Sequence, residues 1–217
     1  AYTMTAGVVG LLVAPFIDRF DRRIVLLVVY AGFIVGTLAC AMSESVPRLI
    51  LARGICGAFG GVATATILAI AGDVVPAERR GAAMGMIMTA FSAAAAFGVP
   101  FGLYLAQQFR WETPFYLLAV IALGVEALLF VSLPSVRGHL QNGPPASWRN
   151  FLILLRDGNA WRGLLLMVSL IFGHFVLIPF FSPHLVYNMH LPEGLLSVVY
   201  IIGGLLTIVS APWIGRL

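Results

Sequence analysis

The sequence contains no lysine, and charged side chains of every kind make up only 10% of its 217 residues. Soluble domains carry about 25% charged residues, so this chain has too few charges to cover a water-exposed surface. Hydrophobic residues account for 60% of the sequence. The composition therefore excludes an ordinary soluble globular domain and indicates that lipid is the solvent.

Cysteine is also scarce, and the common catalytic and metal-binding motifs do not occur. The two cysteines, Cys40 and Cys56, both lie in apolar runs, where thiols are typical small packing residues rather than disulfide partners. Two thiols alone do not make a zinc site, and the chain has neither a His-Glu-x-x-His nor a Gly-x-Ser-x-Gly pattern. We therefore expect no cofactor and no bound metal, and we do not expect an enzyme.

Seven apolar segments have about the length that a membrane-spanning helix requires. Such a helix needs about 20 mostly apolar residues, and open strands are excluded because lipid offers no partner for unpaired backbone groups. The sequence therefore predicts an all-α membrane protein with seven transmembrane helices. The predicted segments are Tyr2–Ile17, Ile24–Met42, Leu49–Gly72, Ala82–Ala106, Pro114–Leu133, Gly163–Tyr187 and Leu195–Ile214.

The arginines orient these segments. Ten of the 13 follow the first, third, fifth and seventh segments, two lie in the opposite loops, and Arg53 lies inside the third segment. Because arginine-rich loops stay in the cytoplasm, this bias places residues 134–162 in the cytoplasm and residues 188–194 outside. The net charge of +4 is thus expected to meet a membrane surface, and no aromatic-interleaved basic patch indicates nucleic acid.

One long polar stretch, residues 134–162, divides the chain. It contains Gly143-Pro144-Pro145, which does not continue a helix. The apolar residues that follow share one helical face, typical either of a helix in the membrane interface or of an ordinary linker helix: Trp148, Phe151, Leu152 and Leu155. We expect an N-terminal transmembrane bundle in residues 1–133, a cytoplasmic central loop in 134–162, and the start of a C-terminal bundle in 163–217.

Three ionisable residues are predicted at membrane depth: Arg53, Glu126 and His174. Such residues are costly in lipid, so they face a cavity or a partner and mark candidate proton or substrate sites. For each of them the alternative is an interhelical hydrogen bond that only holds the helices together.

A second group of charges lies at the predicted cytoplasmic ends of the helices. Asp18 and Asp73 lie among basic residues there, namely Arg22, Arg79 and Arg80. Such charges form a gate if their ion pairs close in one conformation and open in another. The alternative is a set of solvated loop charges that only fix the topology, since exposed ion pairs contribute under about 1 kcal/mol.

The loop after the first segment resembles the cytoplasmic signature of the major facilitator superfamily. Asp18, Arg19, Arg22 and Arg23 match its charged positions, and Asp21 stands in place of its second glycine.

Three further patterns resemble the same family. Arg53-Gly54-x-x-Gly57 is similar to the motif of the family's fourth helix, and residues 73–81 are similar to the loop that follows it. Gly98-Val-Pro100-Phe-Gly102 resembles the fifth helix of the drug and sugar efflux antiporters, whose strict motif has glycine directly before proline, where this chain has Val99.

The resemblance implies a transporter built from two halves of six helices that rock about a midplane site. It implies that the chain is an internal fragment that lacks helix one and covers helices two to eight. The expected activity is proton-coupled efflux of drugs or sugars across a plasma membrane, such as a bacterial inner membrane. The expected partners are the lipid bilayer, a small-molecule substrate and protons.

The charges and the resemblance together give three sets of candidate residues. The cytoplasmic gate comprises Asp18, Arg19, Arg22, Arg23, Asp73 and Arg80. The proton or substrate site comprises Arg53, His174 and Glu126. Close helix packing is assigned to Gly57, Gly98, Pro100 and Gly102.

Two other readings of the chain stay open at this point. Seven spans that start outside also fit a seven-helix receptor, although a retinal pigment is excluded because its Schiff base needs a lysine. The other alternative is a fragment that does not transport by itself.

Overall fold

The structure of the chain, a computed structural model, describes residues 1–138, 140 and 157–214, and its regular elements there are all helices. Helical structure coincides with each of the seven predicted segments to within a few residues at either end. The predicted all-α fold is thus confirmed for the described residues. The helices are α1 (Tyr2–Ile17), α2 (Arg22–Ala41), α3 (Val46–Val74), α4 (Arg80–Ala93), α5 (Val99–Gln108), α6 (Thr113–Ser132), α7 (Gly158–Pro183) and α8 (Glu193–Ile214).

Three of these helices, α2, α3 and α6, are both long enough and apolar enough to cross a membrane. Helix α1 has 16 residues, which is short of the ~20 that a bilayer core requires. Shorter apolar stretches of the described chain are Tyr2–Ala14 in α1 and Val198–Thr207 in α8. The count of seven spans therefore stays a prediction.

A single π-helical turn, Ala94–Gly98, joins α4 to α5 without interrupting the helical backbone. The Val99 amide donates to the Ala94 carbonyl five residues back, and Pro100 in the first turn of α5 has no amide hydrogen to donate. A proline that removes a regular bond commonly leaves a kink or a π bulge of this kind. A second π-helical turn, His184–Asn188, follows Pro183 at the end of α7.

Helix α3 lies at the centre of the first half of the chain, between α1 and α2, while α2 also packs on α6 and α8 packs along α4. Small residues form the α2–α3 contact. A Cβ at Gly36 would meet the Cys56 sulfur at 3.0 Å, and the sulfurs of Cys40 and Cys56 lie 3.8 Å apart as buried free thiols. Close packing through small residues is typical of helices that associate in lipid.

Large apolar side chains point outward instead, for example Val28, Leu51 and Val131. Buried hydroxyls are satisfied within their own helices: Thr37 donates to the Phe33 carbonyl at 2.8 Å. This arrangement fits a lipid environment, in which an exposed apolar surface carries no penalty and each polar group needs an internal partner.

The predicted interfacial helix with Trp148 and Phe151, and Gly143-Pro144-Pro145 before it, lie outside the described residues. The proposed division into 1–133, 134–162 and 163–217 therefore stays a prediction.

Candidate functional site

Arg22 joins the ends of three helices. It is the first residue of α2, and its Nε donates to Oδ2 of Asp73 in the last turn of α3 at 2.6 Å. Its Nη1 donates to Oδ1 of Asp18 at the end of α1 at 3.1 Å. We call Asp18, Arg22 and Asp73 the charge cluster.

The three members of the charge cluster differ in their exposure. The side chain of Arg22 is 9% exposed, that of Asp73 is 31% exposed and that of Asp18 is 49% exposed. A buried guanidinium needs its charge matched, whereas a carboxylate that faces water is readily hydrated. The Asp73 contact is the shorter and better shielded of the two, so we rank it as the stronger.

The other arginines assigned to the gate make different contacts. Arg23 donates to the Phe130 carbonyl of α6 at 2.6 Å, and Arg80 donates to the Val75 carbonyl at 3.1 Å. The guanidinium of Arg19 lies 5.6 Å from the centre of the Phe16 ring. Arg23 and Arg80 thus join backbone carbonyls at helix ends.

Asp21 was not a predicted site residue, yet it is the most highly connected carboxylate of this region. Its Oδ1 accepts from the Arg23 amide at 2.9 Å, which caps α2, and from the Val136 amide at 3.1 Å. Its Oδ2 accepts from Arg137 Nε at 3.0 Å and from the Ser135 hydroxyl. An aspartate directly before an apolar helical run is a capping signal, but nothing local in the sequence indicates its partners after α6.

Hydrogen bonding keeps Asp21 ionised. Burial alone raises the pKa of its carboxyl, but the bonds from Ser135, Arg23, Arg137 and Val136 outweigh burial and hold the pKa well below its usual range. Because the folded-state pKa is the lower one, the stabilisation is complete above the unfolded-state pKa and is lost as the pH falls through the folded-state value. The carboxylate therefore stays charged at neutral and mildly acidic pH.

Arg53 lies between two aromatic rings of neighbouring helices. Its guanidinium carbon is 5.3 Å from the centre of the Tyr2 ring on α1 and 6.0 Å from that of Phe115 on α6. Both distances fall in the range of cation–π attraction. The side chain is otherwise exposed in the described structure.

One turn along α3 from Arg53, glycines bring α1 close. A Cβ at Gly57 would overlap the Tyr2 carbonyl and the Thr5 hydroxyl, and one at Gly60 would overlap the Tyr2 hydroxyl. The backbone carbonyl has no room to give way, so this approach requires glycine at position 57. The same approach places Tyr2 beside Arg53.

Glu126 lies on α6, which packs against α2. One of its carboxyl oxygens is buried and accepts no hydrogen bond from any residue that the structure describes. Buried carboxyl oxygens without a partner are uncommon, and one oxygen of Glu112 is in the same state among the described residues.

No contact with these groups is described for the remaining predicted residues. His174 lies in α7, but its side chain is outside the described residues. A Cβ at Gly98 would meet no described atom within 4 Å, and one at Gly102 would meet Pro114 at 4.0 Å. The close packing assigned to Gly98, Pro100 and Gly102 thus stays a prediction, and the observed feature of this region is the π-helical turn.

A cavity of about 550 Å³ opens at the far end of α2 from the charge cluster. It lies between the α2–α3 and α5–α6 connections, and its lining includes Met42, Glu44, Arg110, Trp111, Glu112 and Tyr116. Arg110 donates to Glu112 at 3.1 Å. The cavity is separate from the charge cluster, because the two lie at opposite ends of α2.

One protein family matches this chain along its whole length, and several transporters match parts of it. Residues 1–217 match the sequence model of the Major Facilitator Superfamily. The uncharacterized MFS-type transporter YtbD of Bacillus subtilis strain 168 is 30% identical over 84% of the chain, and YwfA of the same organism is 34% identical over 49%. The vacuolar membrane amino acid uptake transporter fnx2 of Schizosaccharomyces pombe strain 972 is 33% identical over 53%.

The matched residues make up 45% of YtbD, 26% of YwfA and 20% of fnx2, so the chain spans less than half the length of these relatives. The match between residues 1–217 and the family's sequence model agrees with the helical architecture and with the charged turn between α1 and α2. This chain belongs to the Major Facilitator Superfamily and, with its apolar helices, is a membrane protein.

Proposed function

We propose that the full-length protein carries a small molecule across a membrane by alternating access, and that a proton gradient drives efflux of drugs or sugars. The observation that carries the proposal is the bridge from Arg22 to both Asp18 and Asp73, because it joins three helix ends through contacts that separate without breaking a helix. The charge cluster is then the cytoplasmic gate.

The energies suit a reversible gate. An ion pair with a partly exposed carboxylate contributes roughly 0.2–1 kcal/mol, and Asp18 and Asp73 are 49% and 31% exposed. Contacts of this size shift the populations of two conformations without locking either of them. A fully buried pair would hold the closed state too strongly to be broken in each cycle.

The proton and substrate site is assigned to Arg53 and Glu126, with His174 as the third candidate. The unpaired oxygen of Glu126 is a natural site for a transferable proton. The fixed positive charge of Arg53 attracts an anionic group or favours the ionised form of a nearby carboxyl. The name of fnx2 gives amino acid uptake for that relative, so amino acids belong beside drugs and sugars in a substrate survey.

The test is transport by the full-length protein in liposomes, surveyed over lipophilic drugs, sugars and amino acids with and without a proton gradient. We expect at least one drug or sugar to move uphill only while the gradient is present, and a protonophore to stop it. Substrate transport at the same rate with and without the gradient would show that transport is not coupled to protons. No movement of any drug or sugar would reject the proposed substrate class.

The proposed topology places residues 134–162 in the cytoplasm and 188–194 outside, in a plasma membrane. We expect single cysteines at Gly138 and Asn188, in a background that lacks Cys40 and Cys56, to be labelled from opposite faces. An impermeant maleimide added to intact cells should reach position 188, and should reach position 138 only after permeabilisation. Labelling of both positions from one face would contradict the arrangement of spans.

A further inference from the structure

Asp21 connects the start of α2 to the segment that leaves α6. The residues that follow α6 run beside the turn before α2, where the Arg22 amide also donates to the Val136 carbonyl at 3.3 Å. We call Asp21 with Ser135, Val136 and Arg137 the linker anchor. The Asp21 side chain is only 5% exposed, whereas that of Arg137 is 63% exposed, so the carboxylate is shielded while its arginine partner lies at the surface.

Capping α2 does not explain this connectivity. A helix N-cap needs one short acceptor side chain, and the bond from the Arg23 amide fulfils that role. The three other donors to Asp21 all come from residues 135–137, more than 100 positions later in the chain. Charge-assisted bonds of this kind offset the cost of burying a carboxylate, so the anchor is a built attachment point for this segment.

The linker anchor and the charge cluster share Arg22. Its side chain holds Asp18 and Asp73, while its backbone holds Val136 and follows directly on Asp21. An arginine side chain has many rotamers, and a fixed backbone limits the directions in which Arg22 can reach, which favours simultaneous contact with two carboxylates.

We propose that Asp21 is a positioning residue: it fixes residues 135–137 against the first turn of α2 and so aims Arg22 at Asp18 and Asp73. The cytoplasmic gate then moves as one unit with residues 135–137, which lead toward the second part of the chain. The inference rests on the proposed gating role of Arg22.

Release of the anchor is measured with a nitroxide attached to a cysteine at Gly138 in the full-length protein, with Cys40 and Cys56 replaced by alanine. Asp21→Ser keeps an N-cap acceptor but is too short to reach residues 135–137. We expect its spectrum to show rotation about twofold faster or more, because a released loop moves on a shorter timescale.

Two further variants control the nitroxide measurement. Arg137→Gln loosens the anchor from the other side and leaves the α2 cap intact, so it should shift the spectrum in the same direction and serves if Asp21→Ser does not fold. Asp18→Asn weakens the charge cluster alone and should leave the spectrum unchanged. An unchanged spectrum in both anchor variants would overturn the proposed attachment.

The positioning role is tested by combining variants in a transport assay. Asp21→Ser should lower turnover by about fivefold, and much less in an Arg22→Lys background, because the effects of residues that act through one another are not additive. Equal fold losses in the two backgrounds would show that Asp21 acts independently of Arg22. If the unmodified protein does not transport, the proposed function fails, while the nitroxide spectra still decide the attachment.

Discussion

Replacement of Arg22 by glutamine is expected to lower transport by the full-length protein tenfold or more, with a normal amount of protein in the membrane. Glutamine carries no charge, and it is too short to donate to Asp18 and Asp73 together. Tenfold corresponds to about 1.4 kcal/mol. Breaking a fully buried pair costs about 3–5 kcal/mol, and the partial exposure of both carboxylates reduces that cost toward the expected value.

The contacts of Arg22 predict a graded series. Arg22→Lys keeps the charge, but its N–H donors all lie on one nitrogen, whereas arginine reaches the two carboxylates from two. Its loss of transport should therefore be smaller than that of Arg22→Gln. Asp73→Asn should reduce transport more than Asp18→Asn does, because the Asp73 contact is shorter and better shielded.

Arg23→Gln is the matched control, since it removes the neighbouring guanidinium, whose hydrogen bond goes to a backbone carbonyl. We expect a smaller loss than for Arg22→Gln. Unimpaired turnover in Arg22→Gln, measured per molecule of inserted protein, would show that the charge cluster is not a gate.

Sequence reasoning identified the helices well because hydropathy is a local property. The predicted bounds of the first segment, Tyr2–Ile17, are the observed bounds of α1. The other helix boundaries differ from the predicted ones by up to five positions. The π-helical turn at Ala94–Gly98 was not foreseen, although Pro100 indicates that a regular hydrogen bond is missing nearby. The number of membrane spans is a different matter, because among the described residues only α2, α3 and α6 are both long enough and apolar enough to cross a membrane.

The arginine contacts show where local patterns stop being informative. Asp18 and Arg22 are separated by four positions, so a contact between them was predictable from the turn alone. The choice of Asp73 as the second partner depends on how α3 packs against α2. Arg23 was grouped with the gate by its motif, yet its partner is Phe130 on α6, which only the packing of α2 on α6 determines.

Asp21 is the clearest omission from the candidate residues predicted from the sequence, and the omission has a physical cause. Periodicity and capping rules describe contacts within a few residues, whereas the anchor joins Asp21 to residues 135–137. The substitution of aspartate for a glycine in a charged turn was the available signal. An aspartate directly before an apolar helical run indicates a helix cap, but it carries no information on the path of the chain after α6.

Arg53→Ala is expected to abolish the response of transport to a proton gradient while leaving the protein in the membrane at its normal level. The side chain lies seven residues into α3, roughly 10 Å along the helix at 1.5 Å per residue, and it rests against Tyr2 and Phe115. Exposed cation–π contacts contribute about 0.5–1 kcal/mol each. Their loss is too small to unfold the protein, so a large loss of transport in this variant reflects function.

The variants around Arg53 separate its charge from its packing and from simple snorkelling to water. Arg53→Lys keeps the cation and loses the planar face, so we expect partial transport that still responds to the gradient. Phe115→Leu removes one ring and should cost a few-fold at most, since about 0.5–1 kcal/mol is roughly a two- to fivefold effect. Arg48→Ala removes an exposed arginine near the start of the same helix, paired with Glu44, and should leave transport unchanged.

If Arg53→Ala also transports normally, its side chain only reaches toward water. If the protein instead disappears from the membrane, the two rings and the guanidinium hold α1, α3 and α6 together, and the role of Arg53 is structural.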